Sequence, residues 1–485
     1  MRTPSEPPIR IQLSGASVQG ASLRPIDLRI AAGEHYVVSG PRGSGKTLLA
    51  EALAGQRRLT GGRVFYPFLG VEAPYAARKE AIRLISFYDH SRLSQGPNHV
   101  HYYQQRFNAF DAGGHPTVGD YLRESGYEAG RQAAAIDTFG LADLLDREKI
   151  KLSSGQTRKL LLARALLGHP RVVVIDNPYA GLDPQGRATL NELLDRLVAE
   201  LDLTLILHTN GSELPSCINR RLQLTAQGEW SVGAPQSAPP GIPSVNLELL
   251  GQLEARWRKH LPKVPREIVR CDKVRVSYGG PPVIDKLSWR VMAGDRWVVH
   301  GPNGSGKSTL LSLIYADHPQ AYANEIYLFG TRRGRGGSIW EIKRRIGFTS
   351  PELAAHFREP LTGREVVLTG LTDTFLPPRR PVAEALGIAD TLLRYFGLEQ
   401  AAEESFRTLS GGTRRLLLLC RALVKLPPVL LLDEPFQGLD AHDIARARAL
   451  LTSAVPDLAT VIFISHFREE IPDGPGWQYL KLSAG

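Results

Sequence analysis

One stretch decides the fold of this chain: Gly301-Pro302-Asn303-Gly304-Ser305-Gly306-Lys307-Ser308-Thr309. It fits the pattern G-x-x-x-x-G-K-[ST], in which glycines let the backbone N–H groups of a loop point at phosphate oxygens. Residues 296–300 before it are typical of a short buried strand, and residues 309–314 after it are typical of a helix. This context favours phosphate binding, because the helix N-terminus adds its positive dipole end. We therefore predict that Lys307 reaches the terminal phosphates of a nucleotide and that Ser308 binds Mg²⁺.

The pattern occurs a second time, again after a short apolar run and before a helix-like run, at Gly40-Pro41-Arg42-Gly43-Ser44-Gly45-Lys46-Thr47. The lysines Lys46 and Lys307 lie 261 positions apart. A motif repeated in the same context indicates two tandem domains of one architecture. We therefore predict a second nucleotide site, in which Lys46 binds phosphate and Thr47 binds Mg²⁺.

Each half then continues with the same motifs in the same order. A serine- and glycine-containing signature comes first, and an apolar run that ends in Asp176 or Asp433 follows it. A buried parallel strand ending in Asp fits the Mg²⁺-holding carboxylate of phosphate-loop NTPases, so we predict both aspartates as metal ligands. The two aspartates are 257 positions apart, which means that the spacing of the motifs is nearly conserved between the halves. The signature residues are Ser153, Ser154, Gly155, Gln156, Ser410, Gly411, Gly412 and Thr413.

Length and composition agree with two globular domains joined by a linker. The chain has 485 residues, of which 42% are hydrophobic and 22% are charged, a balance typical of globular proteins. Several prolines near residue 240 predict the boundaries: a first domain over 9–233, a linker over 234–265 and a second domain over 266–485. A short amphipathic segment over residues 247–260 falls within this linker.

Charge and cysteine content restrict the cellular setting. The sequence contains three scattered cysteines, no run of eighteen apolar residues and no apolar stretch at its N-terminus. We therefore expect a cytoplasmic protein in a reducing compartment, without a membrane span of its own. The formal charge of +10 is compatible with nucleic acid, a ribosome or an anionic membrane surface, and equally with a generally solvated basic surface.

The phosphate loop, followed by an L-S-G-G-Q-like signature just before an Asp-ended strand, resembles the ATP-binding cassette (ABC) ATPases. The resemblance covers nearly the whole chain twice. It implies an α/β fold in each half, with a mainly parallel sheet, an antiparallel edge subdomain and a helical subdomain. It also implies ATP and Mg²⁺ as cofactors, and head-to-tail pairing of the two cassettes. Each ATP would then lie between the phosphate loop of one cassette and the signature of the other.

The second half is also similar to tandem ABC ATPases associated with molybdate transport and with photorepair. The similar stretch runs from Gly301 through residues 317–320, 327–330, 332–334 and 339–343 to residues 346–348. In this family an aromatic residue upstream of the phosphate loop stacks on adenine, and Tyr278 has the matching position. The alternative for Tyr278 is an ordinary tyrosine in a strand.

The two predicted sites differ in the residues that support hydrolysis. In the second half Glu434 follows Asp433, and His466 follows a later apolar strand. A carboxylate can polarise the attacking water, and a histidine can steady the γ-phosphate. The corresponding residues of the first half are Asn177 and Asn210. Because an amide cannot accept a proton at neutral pH, we expect the second site to hydrolyse ATP and the first site mainly to bind it.

Three functions remain open from the sequence. The first is the energy-coupling ATPase of an importer, acting on separately encoded membrane permease subunits at the inner face of the cell membrane. The second is a soluble tandem ATPase acting on nucleic acid or a ribosome, although the short proline-rich linker differs from the long charged linker of such relatives. The third is a soluble regulatory or repair ATPase. Transporter cassettes usually carry a glutamine near residues 346–352, where this chain offers only Glu352.

Overall fold

The chain divides into two compact units, which comprise residues 1–96 with 113–239, and residues 97–112 with 240–485. The structure is a computed structural model. It describes residues 7–21, 23–41, 43–70, 73–86, 116–124, 133–149, 152, 154–179, 182, 184–209, 213–225, 227–235, 245–278, 281–302, 304–335, 338–357, 359–439, 441–465, 470–472 and 476–483.

The first unit alternates strands and helices, as the spacing of apolar runs in the sequence predicts. Its strands are β1 (Ile9–Val18), β2 (Ile26–Ala31), β3 (Tyr36–Ser39), β4 (Leu59–Phe65), β5 (Ile82–Ser86), β6 (Val172–Asp176), β7 (Thr204–His208), β8 (Arg220–Leu224) and β9 (Trp230–Gly233). Its helices are α1 (Lys46–Leu53), α2 (Tyr75–Ala81), α3 (Val118–Arg123), α4 (Ala133–Thr138), α5 (Ser154–Leu166) and α6 (Pro184–Glu200).

The second unit repeats this order and adds one helix at its start. The strands are β10 (Glu267–Ser277), β11 (Pro282–Met292), β12 (Arg296–His300), β13 (Glu325–Leu328), β14 (Thr331–Arg332), β15 (Ile346–Thr349), β16 (Val429–Asp433), β17 (Thr460–Ile464) and β18 (Trp477–Lys481). The helices are α7 (Leu247–His260), α8 (Lys307–Ile314), α9 (Ile339–Arg344), α10 (Gly363–Leu368), α11 (Ala383–Phe396), α12 (Glu399–Glu403), α13 (Gly411–Leu423) and α14 (Ala441–Ser453).

Each unit has a mainly parallel sheet at its centre. The strand order is β5-β6-β7-β3-β8-β9 in the first unit and β15-β16-β17-β12-β18 in the second. Among the described strands of these two sheets, only β9, at the edge of the first sheet, runs antiparallel to its neighbour. The central strands β6, β7, β16 and β17 are buried along their whole length, which explains why their sequences are continuous apolar runs rather than alternating ones. This arrangement brings the loops that follow the parallel strands to one edge of each sheet.

A smaller antiparallel sheet accompanies each parallel sheet, with the order β2-β1-β4 in the first unit and β11-β10-β13-β14 in the second. Residues 9–33, which contain two strands of the first of these sheets, alternate apolar and polar side chains, as strands with one buried face do. In the second unit, a helical layer packs around α13, whose buried residues join those of α10 and α11 in one apolar core. The predicted α/β fold, with a parallel sheet, an antiparallel edge sheet and a helical subdomain, is therefore confirmed.

Helix α7 belongs to the core of the second unit. Its apolar face buries Leu249, Leu250, Leu253 and Trp257 in the same core as α10, α11 and α13. The indole Nε1 of Trp257 donates a hydrogen bond to the carbonyl oxygen of Pro427 at 3.2 Å. The sequence places residues 247–260 in the linker, and the structure shows that the apolar face of this helix is covered by the second unit. The division between the units itself falls between residues 239 and 240.

Candidate nucleotide-binding sites

The two phosphate loops have nearly the same backbone geometry. Gly45 and Gly306 precede helices α1 and α8 with φ angles of 86° and 87°. Such left-handed conformations favour glycine. A Cβ atom on Gly306 would lie 2.9 Å from Ile284 Cγ1 and 3.0 Å from the carbonyl oxygen of Val283. The loop therefore requires glycine here both for its conformation and for its close approach to strand β11. Gly43 and Gly304 have left-handed φ angles of 78° and 84°.

The lysine of each loop folds back over its own loop. Lys307 Nζ donates hydrogen bonds to the carbonyl oxygens of Gly301 at 2.9 Å and Pro302 at 2.8 Å. Lys46 Nζ makes the matching bonds to Gly40 at 2.5 Å and Pro41 at 2.8 Å. The ammonium groups are thus held at the mouths of the loops, where they can exchange a carbonyl partner for a phosphate oxygen.

Each loop also buries one serine hydroxyl that is suited to an anion. The Oγ atoms of Ser44 and Ser305 are buried, and neither has a hydrogen-bond partner within the described parts of the chain. Buried hydroxyl groups normally have a partner. The two serines occupy the same position in both loops, two residues before the following helix begins. The N-terminus of a helix favours the binding of anions. The loops therefore fit a phosphate group at both sites.

A hydroxyl and a carboxylate meet next to each loop. Thr47 Oγ1 donates to Asp176 Oδ2 at 3.1 Å, and Ser308 donates a side-chain hydrogen bond to Asp433. Burial raises the pKa of Asp176 to about 6, against the opposing effects of Thr47 and Lys46. Burial and then the charge of Glu434 raise the pKa of Asp433. Oxygen ligands of this kind are those that Mg²⁺ prefers, so both pairs fit the ion predicted from the sequence.

The residue after each aspartate has the same backbone position in both units. Asn177 and Glu434 both have left-handed φ angles, of 54° and 42°. Their N–H groups donate to the last carbonyl of the neighbouring strand, on His208 and Ile464 respectively, at 3.0 Å in each case. The units therefore place an amide and a carboxylate at equivalent points, as the sequence comparison predicts.

The carboxylate of Glu434 is held by a residue that sequence reasoning missed. Gln437 Nε2 donates to Glu434 Oε2 at 2.7 Å, and Gln437 Oε1 accepts a hydrogen bond from Arg415 Nη2 at 3.1 Å. Arg415 lies on α13, the helix that begins at the signature. The only signal in the sequence is a difference between the halves, because alanine stands at the corresponding position 180.

A third carboxylate lies close to Asp433. Glu352 follows strand β15, whose last residue Thr349 pairs with Leu432 in the adjacent strand. The charge of Glu352 contributes to the raised pKa of Asp433, although less than burial and Glu434 do. The structure thus places Glu352 at the edge of the sheet where transporter cassettes usually carry glutamine.

The signature of the second unit begins a helix. Ser410 is the N-cap of α13, and its Oγ accepts a hydrogen bond from the N–H group of Thr413 at 3.2 Å. Gly411 and Gly412 form the first turn. In the first unit Ser154, Gly155 and Gln156 are the first three residues of helix α5.

The hydroxyl group of Tyr278 is hydrogen-bonded to neighbouring side chains. Its Oη lies 2.7 Å from His318 Nε2, and Thr309 makes a second hydrogen bond to it. Burial raises the pKa of Tyr278 to about 12. The ring is half-buried against the core of the antiparallel sheet, and its stacking on adenine stays a prediction.

Five residues of the predictions lie outside the described residues: Arg42, Ser153, Asn210, Asn303 and His466.

Comparisons with known proteins identify the family of the chain. A family model described as ABC transporter matches residues 23–180 and again residues 284–437. The chain belongs to the ABC transporter ATP-binding family. It is 33% identical over 92% of its length to the ABC transporter ATP-binding protein ModF of Escherichia coli, of which it covers 90%. It is 30% identical, over 92% of both chains, to an uncharacterized ABC transporter ATP-binding protein of Schizosaccharomyces pombe.

A solved structure, the RNase-L Inhibitor, superposes with a TM-score of 0.53 at 16% sequence identity. The superposition covers 96% of this chain and 89% of the chain of the RNase-L Inhibitor. At this identity the likeness concerns the fold alone. The chain is thus a tandem ABC ATPase that binds ATP, as the resemblance implied. Among the described residues, no helix is both long enough and apolar enough to cross a bilayer.

Proposed function

We propose that this ABC ATPase hydrolyses ATP at the site of the second unit and mainly holds nucleotide at the site of the first. The observation that carries this proposal is the pair Glu434 and Asn177. They share a left-handed backbone conformation and the same N–H hydrogen bond to the neighbouring strand, but only the carboxylate can accept a proton from water. Loss of a general base typically lowers a rate by about 10²–10⁴-fold.

The side chains of the second unit have distinct roles in this proposal. Lys307, Ser305 and the loop N–H groups bind the phosphates, and Ser308 with Asp433 holds Mg²⁺. When bound, the ion neutralises charge that develops on the phosphate oxygens. Glu434 accepts the proton of the attacking water, in an orientation fixed by Gln437. His466, which lies outside the described residues, would steady the γ-phosphate.

The two sites are proposed to be composite, as in related ABC ATPases. The hydrolytic site would combine the second unit's phosphate loop with the first unit's signature, which comprises Ser153, Ser154, Gly155 and Gln156. The holding site would combine Lys46, Thr47 and Asp176 with Ser410, Gly411, Gly412 and Thr413.

A matched pair of lysine variants tests the inequality of the sites. Lys307→Ala should abolish most ATP turnover, whereas Lys46→Ala should weaken nucleotide binding at one site and leave a substantial part of the turnover. The two lysines make the same loop contacts, so each variant controls for the structural effect of the other. An equal loss of turnover in two folded variants would contradict the proposal.

We propose further that the ATPase supplies energy to an importer of the molybdate type, at the inner face of the cell membrane and together with separately encoded permease subunits. Two observations support this role. The relatives at 33% and 30% identity are named as ABC transporter ATP-binding proteins, and they match along most of this chain. The sequence of the second half, from the phosphate loop to residue 348, is similar to tandem ABC ATPases associated with molybdate transport.

One observation favours an alternative. Glu352 lies beside Asp433, where transporter cassettes usually carry the glutamine that contacts both Mg²⁺ and the membrane partner. A negative charge at this point changes what the segment can bind. The second candidate is therefore a soluble tandem ATPase that acts on a nucleic-acid, ribosomal or repair partner.

Capture of the partner separates these functions. The Glu434→Gln protein, loaded with ATP in a native cell lysate, should retain its partner because it binds nucleotide without turning it over. Co-purification with integral membrane subunits, lost in the Lys307→Ala control, is the result expected for an importer. Recovery with ribosomes, with DNA or without any partner would contradict the importer role.

A further inference from the structure

A buried histidine lies beside the metal-binding aspartate of the first unit. His208 is the last residue of β7, and it pairs with Asp176 in the parallel register of β6 and β7. Its side chain is 1% exposed. Neither Nδ1 nor Nε2 has a hydrogen-bond partner among the residues that the structure describes. A buried polar group without a partner is rare and calls for an explanation, such as an ion at the site.

The imidazole of His208 lies close to the carboxylate of Asp176. His208 Nδ1 is 3.9 Å from Asp176 Oδ1. A neutral imidazole keeps a lone pair on one ring nitrogen and is the form that binds metals.

The second unit offers no nitrogen at this position. Ile464 is the last residue of β17 and pairs with Asp433 in the same register. It is fully buried in the apolar core of that unit. The structural setting is therefore the same in both units, while the chemistry beside the aspartate differs.

We propose that His208 is a ligand of the divalent ion that binds with nucleotide in the first unit, together with the Thr47 hydroxyl and the Asp176 carboxylate. This inference rests on the proposed function, in which the first unit holds a metal–nucleotide complex. Two ligand bonds of about 2.1 Å each span at most about 4.2 Å. The 3.9 Å between His208 Nδ1 and Asp176 Oδ1 therefore allows one ion to touch both side chains.

The ion enters this site with its nucleotide. No group of three or more His, Cys, Asp or Glu side chains that could hold a metal occurs within the described part of the chain, so phosphate oxygens complete the ligand set. Imidazole is a ligand of first-row transition metals, whereas Mg²⁺ prefers oxygen ligands and retains its waters. The two units should therefore differ in metal preference, with the first favouring Mn²⁺ over Mg²⁺ more strongly than the second does.

Pulsed electron paramagnetic resonance of bound Mn²⁺ tests this inference. The full chain is loaded with two equivalents each of Mn²⁺ and a non-hydrolysable ATP analogue. We expect the nitrogen coupling of a directly bound imidazole, which changes when histidine is labelled with ¹⁵N and disappears in His208→Ile. Isoleucine is the matched replacement because it occupies the same register in the second unit. His208→Gln, which keeps a polar side chain of similar size, serves if the isoleucine variant does not fold.

The affinity for each metal supplies a second readout. Loss of the ligand should weaken Mn²⁺–nucleotide binding at the first unit by about 10–100-fold, with a smaller effect on Mg²⁺–nucleotide binding. Two bound Mn²⁺ ions without an imidazole coupling, a coupling that persists in both variants, or a failure of the first unit to take up Mn²⁺ would overturn the inference. An equal loss of affinity for Mn²⁺–nucleotide and for Mg²⁺–nucleotide would likewise overturn the inference. It would indicate that His208 contributes only to packing. Fast hydrolysis at both sites would overturn only the proposed function, because the coupling reports a ligand and not turnover.

Discussion

The two units bind phosphate with the same loop but surround it with different chemistry. The left-handed glycines, the folded-back lysines and the partnerless serine hydroxyls correspond one to one. Beyond the aspartate the correspondence ends, since Glu434 and Ile464 stand where the first unit has Asn177 and His208. In the proposed function, nucleotide binding and hydrolysis therefore depend on separate residues.

The difference extends to how each of these residues is supported. Glu434 accepts a hydrogen bond from Gln437, whereas Asn177 Nδ2 is buried without a hydrogen-bond partner in the described structure. A positioned carboxylate is what a general base requires. The second unit thus has the support that catalysis needs, and the first has a polar residue whose partner would come with the bound ligand.

The largest effect is expected at Glu434. Glu434→Gln keeps the size and the hydrogen-bonding capacity of the side chain but removes its ability to accept a proton. ATP turnover should fall by about 10²–10⁴-fold while ATP stays bound, as measured by steady-state phosphate release and by retained nucleotide. Asn177→Gln is the matched control in the first unit and should leave turnover near the wild-type level. A turnover above a tenth of the wild-type rate in Glu434→Gln would assign the base to another residue.

The next effect concerns the helix at the start of the second unit. Trp257 is 1% exposed in that unit's core. Its replacement by alanine should therefore cost about 3–5 kcal/mol of the free energy of unfolding. Leu247, on the same helix but 75% exposed, is the control, and Leu247→Ala should stay within about 0.5 kcal/mol. Amide hydrogen exchange resolved by peptide measures each unit separately. Unchanged protection of β16 in Trp257→Ala would place the helix outside the second unit.

A smaller effect is expected at Gln437. A hydrogen bond to a charged group contributes about 1.5–3 kcal/mol, so Gln437→Ala should lower kcat by about 10–100-fold without a matching change in KM. Because Gln437 acts through Glu434, the same substitution should have no further effect on kcat in a Glu434→Gln background. Additive losses in the double variant would show that Gln437 acts independently of the carboxylate.

The sequence predicted the features that depend on contiguous residues. The phosphate loops, the helices after them and the Asp-ended strands each follow from a short local pattern, so their placement agrees with the structure. Contacts between distant segments could not be predicted in this way. The amphipathic pattern of residues 247–260 indicates that one face of the helix is buried, but it does not identify the surface against which that face packs.

The environment of single side chains was equally hidden. His208 ends an apolar run and reads as an ordinary strand residue, and only the register of β6 and β7 places it beside Asp176. Gln437 follows Glu434 by three residues, and only the left-handed turn at Glu434 brings the two side chains together. Both depend on backbone geometry that no single-residue pattern records.

The inequality of the two sites is tested most directly by a single-turnover experiment. The full chain is filled with two equivalents of labelled ATP, Mg²⁺ is added, and the reaction is stopped with acid at intervals. We predict that one ATP per chain is converted to ADP in a fast phase, while the second persists for a time about 10²-fold longer or more. Conversion of both ATP molecules in one phase at a single rate would contradict the assignment of hydrolysis to the second unit.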